Sequence, residues 1–123
     1  MANDFKRFTK KDVGTGEGAS GSTVYTVPAG AGSSALESIV IGITIANKST
    51  AGITCDVFID ALGGATDDVY IVKDASIPAG SSLEVMSGNK LVLMNTGSAG
   101  DVLKMTSSTA SAADGIVSVL EDV

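Results

Sequence analysis

The side chains able to do chemistry in this 123-residue chain are almost all carboxylates, 14 Asp and Glu, with no histidine. The missing histidine removes the commonest general base near neutral pH, the triads that use it, and the usual zinc ligand. A paired-carboxylate hydrolysis stays formally open. It needs one carboxyl in an apolar setting, however, and these acids fall on outward strand positions or in loops. Asp56, Asp60, Asp67 and Asp68 cluster in sequence, but calcium takes six to eight oxygens from a loop of defined geometry, and no such motif is present. Cys55 is the single cysteine, so there is no internal disulfide or thiolate cluster. It alternates in phase with Ile53, Val57 and Ile59, as a small buried core residue does. Gly16-Glu-Gly-Ala-Ser-Gly21 spells G-x-G-x-x-G, but a charged segment precedes it and a strand follows. The dinucleotide fingerprint needs a strand before and a helix after, so the stretch reads as a linker. No catalytic, cofactor-binding or metal-ligating residue is assigned, and no cofactor or enzymatic activity is expected.

What remains is chemistry of contact. Phe5 and Phe8, two of the five aromatics, lie among Lys6, Arg7, Lys10 and Lys11 in a segment too short to bury them itself. Buried aromatic and Arg side chains dominate interface energetics. Phe5, Lys6, Arg7, Phe8, Lys10 and Lys11 are therefore the candidate partner-binding residues. Through Asp12 these cations outweigh Asp4 and Asp12 to give +2, so the rest of the chain carries −8 of the net −6. A basic arm on an acidic body fits a neighbouring copy or another acidic protein surface, and disfavours nucleic acid and anionic membrane for the body itself. Removing residues 1–12 is expected to weaken attachment and leave the body's stability intact.

The elements around this arm follow a period of two. Thr23–Val27, Ser38–Asn47, Ile53–Ile59, Val69–Lys73, Ser82–Met86, Lys90–Met94, Asp101–Ser107 and Gly115–Glu121 read as strands at roughly ten-residue spacing. Ile39, Ile41, Ile43 and Ile45 alternate and are expected on one inward face. Ser38–Asn47 and Ile53–Ile59 are expected to form one hairpin, and the strands flanking Ser87-Gly-Asn89 another. Pro28-Ala-Gly30 and Pro78-Ala-Gly80 are turns. The 15 glycines, the scarce aromatics and the absence of any ten-residue amphipathic helix agree. The expected architecture is all-β: an antiparallel β-sandwich of about eight short strands over residues 23–123, jelly-roll or immunoglobulin-like. A flexible N-terminal arm and Gly/Ser linker over residues 1–22 precedes it. No apolar run spans a membrane, and the charged N-terminus lacks the apolar stretch of a secretory signal, so the protein is expected to stay in the cytoplasm where it is made, or in whatever assembles there.

Val69-Tyr-Ile-Val-Lys-Asp-Ala-Ser-Ile-Pro-Ala-Gly-Ser-Ser-Leu-Glu-Val85 resembles the strand, Pro-Ala-Gly, strand core of small virion structural proteins of tailed bacteriophages, particularly cyanophages and marine phages. Val24-Tyr-Thr-Val-Pro-Ala-Gly30, Val40-Ile-Gly-Ile-Thr-Ile-Ala-Asn47, Lys90-Leu-Val-Leu93, Gly100-Asp-Val-Leu-Lys104 and Val117-Ser-Val-Leu-Glu121 extend the likeness over residues 23–121. The chain departs from the pattern by longer stretches at Ala31–Leu36 and Asn95–Gly100. The resemblance implies a virion component, foremost a capsid decoration (cement) protein, with a neck, tail or fibre accessory as the alternative. Implied partners are itself, as a homotrimer on a local symmetry axis of the shell, and the major capsid protein or another virion protein. No nucleic acid or membrane partner is implied, and no functional residue carries over. A carbohydrate-binding module is the rival from a different class, and would need exposed rings among Tyr25, Phe58 and Tyr70.

Overall fold

The computed structural model of the chain describes residues 3–15, 23–61, 68–86 and 90–122. Nine strands make up the described elements, with no α-helix among them: β1 Asn3–Lys10, β2 Thr23–Thr26, β3 Leu36–Asn47, β4 Ile53–Asp60, β5 Asp68–Ile77, β6 Ser82–Glu84, β7 Leu91–Asn95, β8 Val102–Ser107 and β9 Ala113–Asp122. They form two antiparallel sheets. The larger runs β1-β9-β3, and the far edge of β3 is shared end to end by β7, along Leu36–Val40, and β6, along Thr44–Ala46. The smaller runs β2-β8-β4-β5.

The pairing is nested. β1 pairs with β9, β2 with β8, β3 with β6 and β7, and β4 with β5, like one long hairpin. Rolling that hairpin brings β9 onto β3 and β8 onto β4. This is the jelly-roll arrangement, with the sixth strand broken into β6 and β7. An immunoglobulin-like sandwich is excluded, because its first two strands are neighbours in one sheet. Here β1 and β2 lie in opposite sheets.

Three local expectations are corrected. β3 and β4 do not form a hairpin: they belong to different sheets, and the 48–52 connection crosses between them. β6 and β7 do not pair with each other, because both are already bonded to β3. The four isoleucines of β3 do not share a face. A bulge between Val40 and Gly42, opposite consecutive residues Val119 and Ser118 of β9, shifts the alternation by one residue. Val40, Ile43 and Ile45 are buried, while Ile39 and Ile41 point outward.

Between the sheets, Val40, Ile43, Ile45, Val117, Val119 and Leu93 meet Val57, Leu103, Met105 and Cys55 in one core. Gly115 leaves room for Met105, whose sulfur would have to move aside if a Cβ stood there. The Pro78-Ala-Gly80 turn forms as its residues dictate. Gly80 takes φ 71°, and Ser81 N donates to Pro78 O at 3.1 Å.

Candidate interaction face

The segment expected as a mobile arm is strand β1 in residues 3–10. Every residue from Asn3 to Lys10 is in register with β9, from Asp122 back to Gly115. The connector beyond it is also pinned. Val13 is fully buried, its N–H donates to Ala113 O at 2.8 Å, and Ser107 N donates to Gly14 O at 2.9 Å. The Gly/Ser stretch 16–22 and Asp67 lie outside the described residues. Positions 5 and 8 have opposite parity, so a strand must send their rings to opposite faces. Phe8 points inward and stacks on Tyr25, with ring centroids 4.5 Å apart. Phe5 points outward and is 78% exposed. The six candidate residues thus divide. Lys6 and Phe8 serve the fold, Phe5 and Arg7 face solvent, Lys10 is partly covered opposite Gly115, and Lys11 lies exposed just past the strand.

Lys6 reaches a buried polar cluster that sequence patterning does not reveal. Glu121 sits on the inward side of β9, 1% exposed. Tyr25 O–H donates to its Oε2 at 2.5 Å, and Ser38 Oγ lies 2.6 Å from the same phenol oxygen. The phenol's one proton goes to the carboxylate, so Ser38 donates to the phenol. Lys6 Nζ stands 2.8 Å from Oε1 as a close ion pair outside ideal hydrogen-bond directions. Burial, then the bond to Glu121, push the Tyr25 hydroxyl well above the usual phenol range. Glu121 in turn raises the Lys6 ammonium. The cluster closes the core beneath β1, with the Lys6 side chain partly exposed at its rim.

The outward side of the larger sheet has a different character. One cross-strand row spans four strands: Phe5 on β1 faces Leu120 on β9, Leu120 faces Ile39 on β3, and Ile39 faces Val92 on β7. Phe5, Ile41, Val92, Met94 and Ile116 are the exposed large apolar side chains on this face. Only Val69 of the exposed set lies elsewhere, on β5. Arg7 and Glu37 flank the row, and neither makes an ion pair among the described residues. Contiguous apolar surface of this kind marks an interaction site.

The opposite face, on the smaller sheet, is charged and largely internally paired, although one buried oxygen of Asp60, Oδ1, has no hydrogen-bond partner. Tyr70 stacks on buried Phe58 with ring centroids 4.9 Å apart, and Lys73 Nζ lies 4.4 Å above the Tyr70 ring. Lys104 pairs with Asp60 at 3.7 Å, and Lys73 with Asp56 at 3.9 Å. Asp56 also accepts from Asp74 N–H at 2.7 Å and from Thr106 O–H at 3.2 Å. Among the described residues no group of three or more Cys, Asp or Glu is placed to hold a metal. Cys55 is buried, and burial pushes its thiol up to about 11, with a smaller push from Asp56.

No protein-family model, no curated protein and no solved structure matches the chain.

Proposed function

We propose that this protein is a structural component of a bacteriophage virion that assembles by protein–protein packing through the outer face of its larger sheet, foremost as a decoration protein of the capsid. The observation that carries the reading is the Phe5–Leu120–Ile39–Val92 row, apolar surface laid across four strands and left open to solvent. The jelly-roll topology is one that capsid and lectin domains use. Between those two, the aromatic inventory favours the capsid. Sugars stack on exposed rings, and of the five aromatics only Phe5 is fully exposed, since Tyr25 and Phe58 are buried and Phe8 and Tyr70 lie against them. The resemblance over residues 23–121 to small tailed-phage virion proteins points the same way.

Two observations test the reading. The gene should lie beside a major capsid gene, and the protein should appear in purified particles at a copy number matching the shell's symmetry. A neighbourhood of tail genes with a few copies per particle would move it to the neck, tail or fibre. Absence from purified particles would end the virion reading.

A further inference from the structure

Resting on the reading of this face as the assembly surface, we infer that its occupant is a second copy of the same chain, related by a two-fold axis over Leu120. An apolar row is best covered by another apolar row, and this face is where the chain's own exposed apolar side chains gather. Phe5, Ile41, Val92, Met94 and Ile116 are 41–78% exposed. They offer on the order of 500 Å² of apolar surface, against the roughly 800 Å² per partner of a standard interface with its polar rim.

The flanking charges select the partner. Relative to Leu120, Arg7 lies one strand over on β1 and two residues towards Ser118. Glu37 lies one strand over on the other side, on β3, and two residues towards Asp122. With strands about 4.8 Å apart and about 3.3 Å per residue, the two charges stand at equal distances, roughly 8 Å, on opposite sides of Leu120. A two-fold axis lying in the interface over Leu120, perpendicular to the Arg7–Glu37 diagonal, sets Arg7 of each copy opposite Glu37 of the other. Leu120 then packs on Leu120. The strands of the two copies cross at roughly 70°, within the near-orthogonal class of sheet-on-sheet packing. A contact of this kind uses the same patch twice and closes on itself. It therefore gives a dimer, in place of the trimer expected from the resemblance.

Sedimentation equilibrium of the isolated full chain tests this. The intact protein should be a dimer. Arg7→Glu and Glu37→Arg, each placing like charges opposite one another, should each raise the dissociation constant about tenfold or more. The double charge swap should restore most of the loss, which no simple fold defect would do. Phe5→Lys should give a folded monomer that melts cooperatively, at the temperature of the intact protein diluted below its dissociation constant. A monomer at all concentrations, a trimer, or a double swap no better than the single changes would overturn the dimer. A monomer that nonetheless binds particles would leave the virion reading standing and assign the face to another virion protein. A dimer absent from particles would retain the interface and remove the virion role.

Discussion

Tyr25 and Glu121, 96 residues apart in the chain, meet at 2.5 Å inside the core. Their contact joins β2 of the smaller sheet to β9 of the larger, and Lys6 and Ser38 complete it from β1 and β3. A carboxylate this deeply buried is tolerated only because its oxygens have charged or hydrogen-bonding partners.

Tyr25→Phe should therefore destabilise the fold by about 2 kcal/mol, the range for a buried hydrogen bond to a charged group. Glu121→Gln should cost less than Glu121→Ala, since the amide can still accept from the phenol. The Tyr25→Phe and Glu121→Ala losses should be less than additive, because both remove the same bond. Urea denaturation of the four proteins reads this directly, and strict additivity would mean that the contact contributes nothing.

Deleting residues 1–10 should lower the unfolding free energy by several kcal/mol or unfold the chain. It strips β9 of a partner along its length, uncovers Tyr25 and leaves Glu121 without its cation. An unchanged melting temperature would show instead that the segment is a dispensable arm.

Cys55 should label slowly with thiol reagents in the native protein and fast in denaturant. Its thiol is buried, with a pKa of about 11, so few molecules carry the reactive thiolate near neutral pH. Equal rates in both states would place the sulfur at the surface.

Asp114 predicts an acid-sensitive seam. The Asp12 N–H at 2.9 Å and Lys48 Nζ at 2.9 Å hold its carboxyl below the ordinary range. A lowered folded-state pKa contributes stability that is present above the unfolded value, near 3.9, and is lost as pH falls through the folded value. Lys48, raised by Asp12 and then Asp114, acts in the opposite window: its share is present below about 10.4 and is lost as pH rises through its higher folded pKa. Asp114→Asn should flatten the acid limb of the stability curve by removing a small stabilisation at neutral pH, small because the carboxylate is partly exposed, and should change nothing well below the folded pKa. An acid limb identical to that of the intact protein would remove Asp114 from the account.

The sheets were legible in the sequence because strict alternation forces one face inward wherever a core exists. Cys55 was legible for the same reason. The Ile39–Ile45 phase was not: a bulge adds one residue to one strand, and its one mark in the run is the isolated Gly42 beside it. β1 was misread through its charges. Lys6 looks solvent-bound until Glu121, near the other end of the chain, supplies its partner. The opposite parity of Phe5 and Phe8 was the available signal, and it already separates a core ring from a surface ring. The apolar row itself was out of reach, because it depends on β1, β9, β3 and β7 becoming neighbours in an order set only by the rolled topology.

Co-sedimentation with particles tests the central claim most directly. On the proposed reading, shells of the encoding phage, stripped of the protein, would be mixed with the intact chain or with Phe5→Lys/Val92→Lys. Both substitutions lie on outward strand positions of the single chain, so the variant should still fold cooperatively. The intact protein should pellet with the shells to saturation, and the variant should stay in the supernatant. A folded variant that pellets as fully as the intact protein would contradict the assignment of the larger sheet's outer face as the assembly surface.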